Sequence, residues 1–351
     1  MSASYIDPVD GRSYPLHEPR WRSDAGRPLM VTPLPGIGRD DIERGERSIW
    51  RYRAALPMPI APVSLGEGCT PLVEKDWGGA RLRFKLEWFA PTSSFKDRGA
   101  AVMVSYLRQA GIGSILEDSS GNGGAAIAAF GAAAGMKVRI LCPATTQPPK
   151  VAQMRAFGAE VQLVPGPREE SENEAIRQSE QVFYASHNWQ AFFLQGTKTL
   201  AYELWEDLGF RAPDNVIIPC GAGSNVLGCD IGFGELLAAG QVARLPRIFC
   251  VQPENVSPIH AAFEAGADAL QRVEADHRRG HGDQAPGAAQ ARARRHPPLR
   301  RRHDGDRRGR DRRGAAQAGR DGALCRADLR HRGGGGIEAA GLGLSLIHIS
   351  E

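Results

Sequence analysis

Between residues 81 and 251 the chain repeats one pattern of short strand, turn and helix, and this repeat restricts the fold more than any other feature. Segments with the pattern of strands lie at 81–87, 115–119, 138–142, 161–164, 215–218 and 247–251. Segments with the pattern of helices lie at 100–109, 124–135, 150–157, 169–184, 197–208 and 226–239. Strands that alternate with helices are typical of a parallel sheet covered by helices. The sequence therefore predicts an α/β fold.

Length and composition define the class of protein. A chain of 351 residues is long enough for two domains. Its six cysteines include no C-x-x-C pair, so neither a zinc site nor a disulfide framework is predicted. The N-terminal residues lack the apolar stretch of a secretory signal, and the longest nearly apolar run, 125–135, is too short to span a membrane. We expect a soluble, cytoplasmic protein.

The segment from Pro91 to Gly99, P-T-S-S-F-K-D-R-G, contains the first candidate for chemistry, Lys96. A lysine amine forms a Schiff base with an aldehyde when desolvation or a nearby cation keeps it deprotonated. Taken alone, the segment is more typical of a surface lysine at a helix start, with Ser93 or Ser94 as the N-cap residue. Three further segments, in order along the chain, favour the chemical interpretation.

A glycine-rich turn, Gly221-Ala222-Gly223-Ser224-Asn225, connects a buried strand to a helix. Backbone N–H groups at the start of a helix bind anions, and glycines let the backbone come close to them. A tight turn that needs glycine for packing alone fits these residues about as well. The turn has neither the G-x-G-x-x-G spacing of dinucleotide sites nor the G-K-[ST] of a P-loop, so no nucleotide is predicted.

Five motifs together carry a family resemblance. They are S-L-G-E-G-C-T-P-L at 64–72, P-T-S-S-F-K-D-R at 91–98, S-S-G-N at 119–122, G-T-K-T-L-A-Y-E at 196–203 and G-A-G-S-N at 221–225. Over residues 50–270 the chain resembles pyridoxal-phosphate enzymes of the tryptophan synthase β type, and among them threonine synthases most closely. The set of motifs is specific, although each motif alone is not.

The resemblance implies two α/β domains, each a mostly parallel sheet with flanking helices, and pyridoxal 5′-phosphate in the cleft between them. Lys96 would be the Schiff-base lysine and the catalytic residue, and Asn122 would hydrogen-bond the phenolic oxygen of the cofactor. Residues Gly221, Ala222, Gly223, Ser224 and Asn225 would hold its phosphate. No metal ligand is expected. Each of these segments follows a strand, where α/β sheets bind ligands.

The implied activity is that of a carbon–oxygen lyase acting at the β and γ carbons of an amino acid. For a threonine synthase it is the conversion of O-phosphohomoserine to threonine and phosphate, a step of threonine biosynthesis. The alternatives are a threonine or serine dehydratase and a paralogue that binds the cofactor without turnover. The expected partner is a small amino-acid substrate, with no nucleic acid and no membrane, and a homodimer is compatible with the resemblance.

The chain departs from the threonine synthase pattern at four places. At 7–14 it has D-P-V-D-G-R-S-Y where many relatives have C-x-x-C-G-x-x-Y, so a metal knuckle would lack both thiolates. Cys69 stands where asparagine is usual and is interpreted as a core cysteine. Gly123 replaces a threonine, and Phe193 replaces an arginine expected to bind phosphate, which weakens the case for a phosphorylated substrate. Nearby His187 is interpreted as a packing residue.

The expected domains follow the motifs. They are an N-terminal arm with the degenerate knuckle at 1–63, a large cofactor-binding domain at 64–98 and 197–270, and a small domain at 99–196.

Residues 271–334 have an anomalous composition, with 18 Arg, no Lys and 8 acidic residues, whereas the whole chain carries a net charge of only +4. We interpret this segment as frameshifted and disordered, because it has too few large apolar side chains to form a core. A basic nucleic-acid-binding arm is the alternative. Residues 335–351 would be a short family-like piece and an artefactual tail that resembles a translated sequencing adaptor. The native C-terminal segment would then be missing.

Overall fold

The computed structural model describes residues 3–77, 79–253 and 257–261, together with the backbone of 262–264, 325–327 and 346–350. The segment interpreted as frameshifted and the C-terminal tail lie outside the described residues, except for those last two stretches. Their interpretation therefore stays a prediction. Within the described residues the strands form three sheets, of three, six and four strands.

The elements are numbered in chain order. The strands are β1 Ser4–Ile6, β2 Ser13–Pro15, β3 Met30–Val31, β4 Leu72–Trp77, β5 Ala80–Leu86, β6 Ser114–Asp118, β7 Lys137–Pro143, β8 Glu160–Val164, β9 Phe183–Tyr184, β10 Asn215–Pro219, β11 Arg247–Pro253, β12 Cys325–Ala327 and β13 Leu346–Ser350. The α-helices are α1 Lys96–Gln109, α2 Asn122–Ala133, α3 Pro148–Ala156, α4 Arg168–Gln178, α5 Ala191–Thr197, α6 Thr199–Asp207, α7 Ser224–Ala238 and α8 Pro258–Glu264. Short 3-10 helices lie at Arg39–Asp41, Ile49–Ala55 and Glu87–Phe89.

The N-terminal arm begins with an antiparallel sheet in the order β2-β1-β3. The turn between β1 and β2 contains the acidic pair Asp7 and Asp10. The guanidinium of Arg27 donates to the Asp7 carboxylate at 2.8 Å and also to Asp10. Asp7 is fully buried. An arginine therefore joins the two acids and closes this turn.

The small sheet has the order β8-β7-β6-β9, and all of its pairs are parallel. Its four strands come from one continuous stretch of chain, residues 114–184. The helices α2, α3 and α4 connect successive strands, as parallel pairing requires. Ile115, Leu116 and Ile140 in the central strands are fully buried. This sheet has the strand–helix repeat that the sequence predicts.

The large sheet has the order β12-β11-β10-β13-β5-β4. Among its described pairs only β4 with β5 is antiparallel. Its strands flank the small sheet in sequence, since β4 and β5 precede that sheet and β10 to β13 follow it. The two α/β sheets confirm the predicted fold class, a two-domain α/β protein of mostly parallel sheets. The exact domain boundaries stay predictions.

Helix α1 is the central buried helix, with residues 97–107 all buried. It packs closely against α5 because two glycines leave no side chain between them. A Cβ on Gly196 would lie 2.0 Å from the Arg98 carbonyl oxygen, and one on Gly99 would lie 2.5 Å from the Phe193 ring. No helix among the described residues is both long and apolar enough to cross a bilayer.

The structure corrects several boundaries of the predicted elements. Helix α1 begins at Lys96, four residues earlier than predicted, and the predicted helix 169–184 ends at Gln178. Phe183 and Tyr184 instead form β9, because they pair with Ile115 and Leu116 of β6. Helix α5 and strand β4 were not predicted. Helix α5 is short and packs on α1, which is distant in the sequence, whereas β4 pairs with the neighbouring strand β5.

Candidate active site

Lys96 lies at the first position of α1, after a loop held by its own side chains. The Ser94 hydroxyl accepts a hydrogen bond from the Lys96 backbone N–H at 3.3 Å. The Asp97 carboxylate accepts the backbone N–H of Thr92 at 2.6 Å. Ser93 has a φ of 64°, which is strained for a residue with a side chain. The loop is therefore fixed in one conformation immediately before the lysine.

The Lys96 amine lies among two aromatic rings and a serine. Its Nζ is 4.5 Å from the ring centre of Phe95 and 5.9 Å from that of Phe193. It also donates to the Ser224 hydroxyl at 3.2 Å. Ser224 is 128 residues farther along the chain. The fold thus brings the lysine predicted to be catalytic to the glycine-rich turn predicted to bind phosphate.

The glycine-rich turn begins α7, and Gly223 precedes the helix with a φ of 89° that favours glycine. The first N–H groups of a helix have no acceptor within it. Gly221 has open space around it, since an added Cβ would meet no atom within 4 Å. The Asn225 side chain is 2% exposed, and neither its Oδ1 nor its Nδ2 has a hydrogen-bond partner in the described part of the chain. A buried amide that lacks partners within the described residues, at the start of a helix, fits an anionic group such as a phosphate.

Asn122 begins α2, directly after the turn that follows β6. Its Oδ1 accepts a hydrogen bond from the ammonium of Lys150 at 3.0 Å. The neighbouring Gly123 has no room for a side chain, because a Cβ there would lie 2.8 Å from the His187 ring. Sequence reasoning missed Lys150, because nothing in the sequence indicates that α3 packs beside the start of α2.

His187 and Phe193 form a wall beside this turn. The rings of His187 and Phe193 meet edge to face with centres 5.8 Å apart. The His187 Nδ1 lies 2.5 Å from Oε1 of the fully buried Glu117. Phe193, at the position where an arginine was expected, therefore contributes an apolar ring between His187 and Lys96.

A buried cluster of charges stands behind the lysine. The Arg98 guanidinium donates to Glu87 at 2.8 Å through Nε and at 2.8 Å through Nη2. It also donates to Glu203 at 2.8 Å and 3.0 Å. The Lys85 ammonium lies 2.6 Å from Glu203, and these four side chains are almost fully buried. Paired cations overcome the burial of Glu203 and hold its pKa well below the usual value.

The charge cluster also fixes the loop that precedes β4. The backbone N–H groups of Cys69 and Thr70 donate to Glu203 at 3.0 Å and 2.9 Å. Three of the sequence motifs, at 64–72, 91–98 and 196–203, therefore meet at this one carboxylate. The interpretation of Cys69 as a core cysteine is wrong, because the residue is exposed. Desolvation and the Glu203 carboxylate raise the pKa of its thiol, which disfavours a reactive thiolate.

Known proteins with similar sequences include threonine synthases. The chain is 34% identical over 231 residues to a threonine synthase of Methanosarcina acetivorans, a match that covers 64% of this chain and 57% of that protein. It is 33% identical over 241 residues to a threonine synthase of Methanocaldococcus jannaschii, covering 66% and 59%. The chain thus matches less than two thirds of the length of these relatives.

Among solved structures, a fungal L-serine ammonia-lyase from Rhizomucor miehei has a similar fold. The TM-score is 0.56 at 20% identity, over 65% of this chain and 73% of that one. The sequence profile of the pyridoxal-phosphate dependent enzymes matches residues 63–321. The chain therefore belongs to the pyridoxal-phosphate-dependent enzyme family, and its predicted cofactor, pyridoxal 5′-phosphate, is confirmed.

Proposed function

We propose that Lys96 is the catalytic lysine that links to pyridoxal 5′-phosphate and that residues 221–225 hold the phosphate of this cofactor. The observation that carries the proposal is the 3.2 Å contact between the Lys96 Nζ and the Ser224 hydroxyl. The amide of buried Asn225, one residue later, has no hydrogen-bond partner among the described residues, which supports the phosphate assignment. Asn122 is the candidate partner of the phenolic oxygen of the cofactor.

The chemistry follows from these residues. When bound, the cofactor supplies an electron sink for the pair of electrons left by a departing proton. The Lys96 Nζ takes that proton from Cα of the substrate, acting as a general base. The rings of Phe95 and Phe193 lie beside this amine, with their centres 4.5 Å and 5.9 Å from Nζ.

The finer proposal is a carbon–oxygen lyase of the threonine synthase type, which converts O-phosphohomoserine to threonine and phosphate. Its support is the similarity to the two archaeal threonine synthases and the order of the five motifs. Because the match covers only part of those relatives, this activity is a proposal for the chain.

A threonine or serine dehydratase is the second candidate, and the wall beside Lys96 favours it. Phe193 places an apolar ring where a phosphate-binding cation was expected, and His187 fills the space beside Gly123. The loss of one charge-assisted hydrogen bond to a substrate phosphate costs about 1.5–3 kcal/mol. On this reading O-phosphohomoserine binds weakly and unphosphorylated amino acids are preferred.

Two product assays on the full chain separate the candidates. Phosphate release from O-phosphohomoserine, with threonine as the second product, supports the threonine synthase proposal. Formation of a 2-oxo acid from threonine or serine, without phosphate release, contradicts it and supports the dehydratase. If the chain binds the cofactor but forms neither product, it is a paralogue without turnover.

The role of Lys96 is tested separately by the visible absorption of the bound cofactor. Lys96→Ala should abolish the band of the lysine-linked cofactor, because no other amine replaces the lost Nζ in the link. Lys75→Ala, at an exposed lysine of β4, is the matched control and should keep the band. An unchanged band in Lys96→Ala rejects Lys96 as the link.

A further inference from the structure

Lys150 touches a residue of the proposed site. Its ammonium donates to the Asn122 Oδ1 at 3.0 Å, and both side chains are half-buried. Lys150 belongs to α3 and Asn122 begins α2, so the contact joins two helices of the small sheet. The inference below rests on the proposed role of Asn122 as a partner of the cofactor.

The packing of α3 on α2 fixes this contact. Gly124 has no side chain, and a Cβ there would lie 2.7 Å from the Met154 sulfur. Met154 is fully buried, so α3 is held against the start of α2 at this point. Lys150 precedes Met154 by four residues and therefore shares its helix face. That face directs the lysine towards Asn122, two residues before Gly124.

The chemistry of the pair determines which end of the amide is available. An asparagine side chain has an oxygen that accepts and an NH2 group that donates, and the two ends are interchanged by rotation about one bond. A lysine ammonium only donates, so it selects the oxygen. The Asn122 Nδ2 is then turned away from Lys150 and offers its hydrogens to an acceptor elsewhere.

We propose that Lys150 is a positioning residue, which holds the Asn122 amide with its NH2 end towards the phenolic oxygen of the cofactor. That oxygen is an acceptor, and the rotated amide would present its own oxygen to it and repel it. Lys150 acts on the cofactor only through Asn122.

The test measures the dissociation constant of the cofactor and the visible spectrum of the complex for the full chain and its variants. Lys150→Met should weaken cofactor binding about three- to tenfold, as expected for one hydrogen bond, and should shift the visible band. Lys150→Arg, which also only donates, should restore both properties. Lys137→Met, at an exposed lysine of β7, is the matched control and should resemble the parent chain.

A double-mutant cycle distinguishes positioning from a general effect on the fold. If Lys150 acts through Asn122, Lys150→Met should have no further effect on cofactor binding or on the band in an Asn122→Ala background. If Lys150→Met does not fold, Lys150→Ala takes its place, because alanine is the best helix former. It should weaken cofactor binding and shift the visible band in the same way.

The outcomes separate this inference from the proposed function. A parent chain that binds no cofactor refutes the proposed function and this inference with it. The inference is refuted if Lys150→Met leaves cofactor binding unchanged, or if it weakens binding equally with and without Asn122. Either outcome leaves the proposed function standing.

Discussion

Arg98→Met should be one of the most destabilising single changes in the chain. The guanidinium is fully buried and makes four hydrogen bonds of 2.8–3.0 Å to the carboxylates of Glu87 and Glu203. Without it, both buried carboxylates have to share the Lys85 ammonium, which lies 2.6 Å from Glu203. Removing one partner from a buried ion pair is costly because it leaves a charge uncompensated.

Protonation of a carboxyl group limits how much free energy of unfolding Arg98→Met can lose. One of the two carboxyls can take up a proton instead of remaining charged, and from an ordinary glutamate pKa this costs about 4 kcal/mol at pH 7 and about 1 kcal/mol at pH 5. We therefore expect Arg98→Met to lower the free energy of unfolding by these amounts at the two pH values. The loss should shrink as the pH falls, because the orphaned carboxyl is then more easily protonated.

Urea-induced unfolding, followed by tryptophan fluorescence at pH 7 and pH 5, measures both values. Arg177→Met is the matched control, because Arg177 lies in a helix and pairs with Glu174, yet its side chain is 76% exposed. An exposed pair contributes about 0.5 kcal/mol. A loss in Arg98→Met no larger than in this control, or equal at both pH values, would refute the reasoning.

Three further predictions concern stability. Burial raises the pKa of Glu67 to about 7, so the folded chain keeps a proton that the unfolded chain loses near pH 4.5. The free energy of unfolding should therefore fall by about 3 kcal/mol as the pH rises between these two pKa values. Glu67→Gln should remove this pH dependence in urea titrations. Gly196→Ala should lower the free energy of unfolding by about 3 kcal/mol through overpacking, because its Cβ would lie 2.0 Å from the Arg98 carbonyl oxygen. Thermal unfolding measures this loss, and Gly113→Ala is the control, because a Cβ on Gly113 would meet no atom within 4 Å. Desolvation of Asp7 is outweighed by its bonds to Arg27, which leave its pKa lowered. Arg27→Met should therefore lower the free energy of unfolding at pH 7, and in urea titrations the difference from the parent chain should disappear once acid protonates Asp7.

The fold class could be predicted from the sequence because the strand–helix repeat is local. Strands β6, β7, β8, β10 and β11 were predicted within two residues at each end. Strand β9 was missed because two residues, Phe183 and Tyr184, are extended only by pairing with β6. Helix α5 was missed because its seven residues are fixed mainly by close packing on α1.

The candidate site could be predicted in part. Lys96 and the turn at 221–225 carry motifs, and the structure brings Lys96 and Ser224 together. Lys150 and the cluster around Arg98 carry no local signal for contact, because they reach across 28 and 105 residues to Asn122 and Glu203. Glu203 belongs to the motif at 196–203, but the sequence does not indicate that its carboxylate joins three motifs, because that role depends on contacts between distant residues.

The insertion of the small sheet within the large one has a consequence for the order of folding during synthesis. The small sheet is complete once residue 184 has left the ribosome, and its contacts are largely local. The large sheet has to wait for β10, which begins at Asn215, and for β13 at Leu346–Ser350, which lies between β10 and β5 in the sheet. Lys96 is made early but meets Ser224 only after this late step. A nascent chain should therefore acquire its cofactor site last, after the domain that lies between the two halves of that site has already folded.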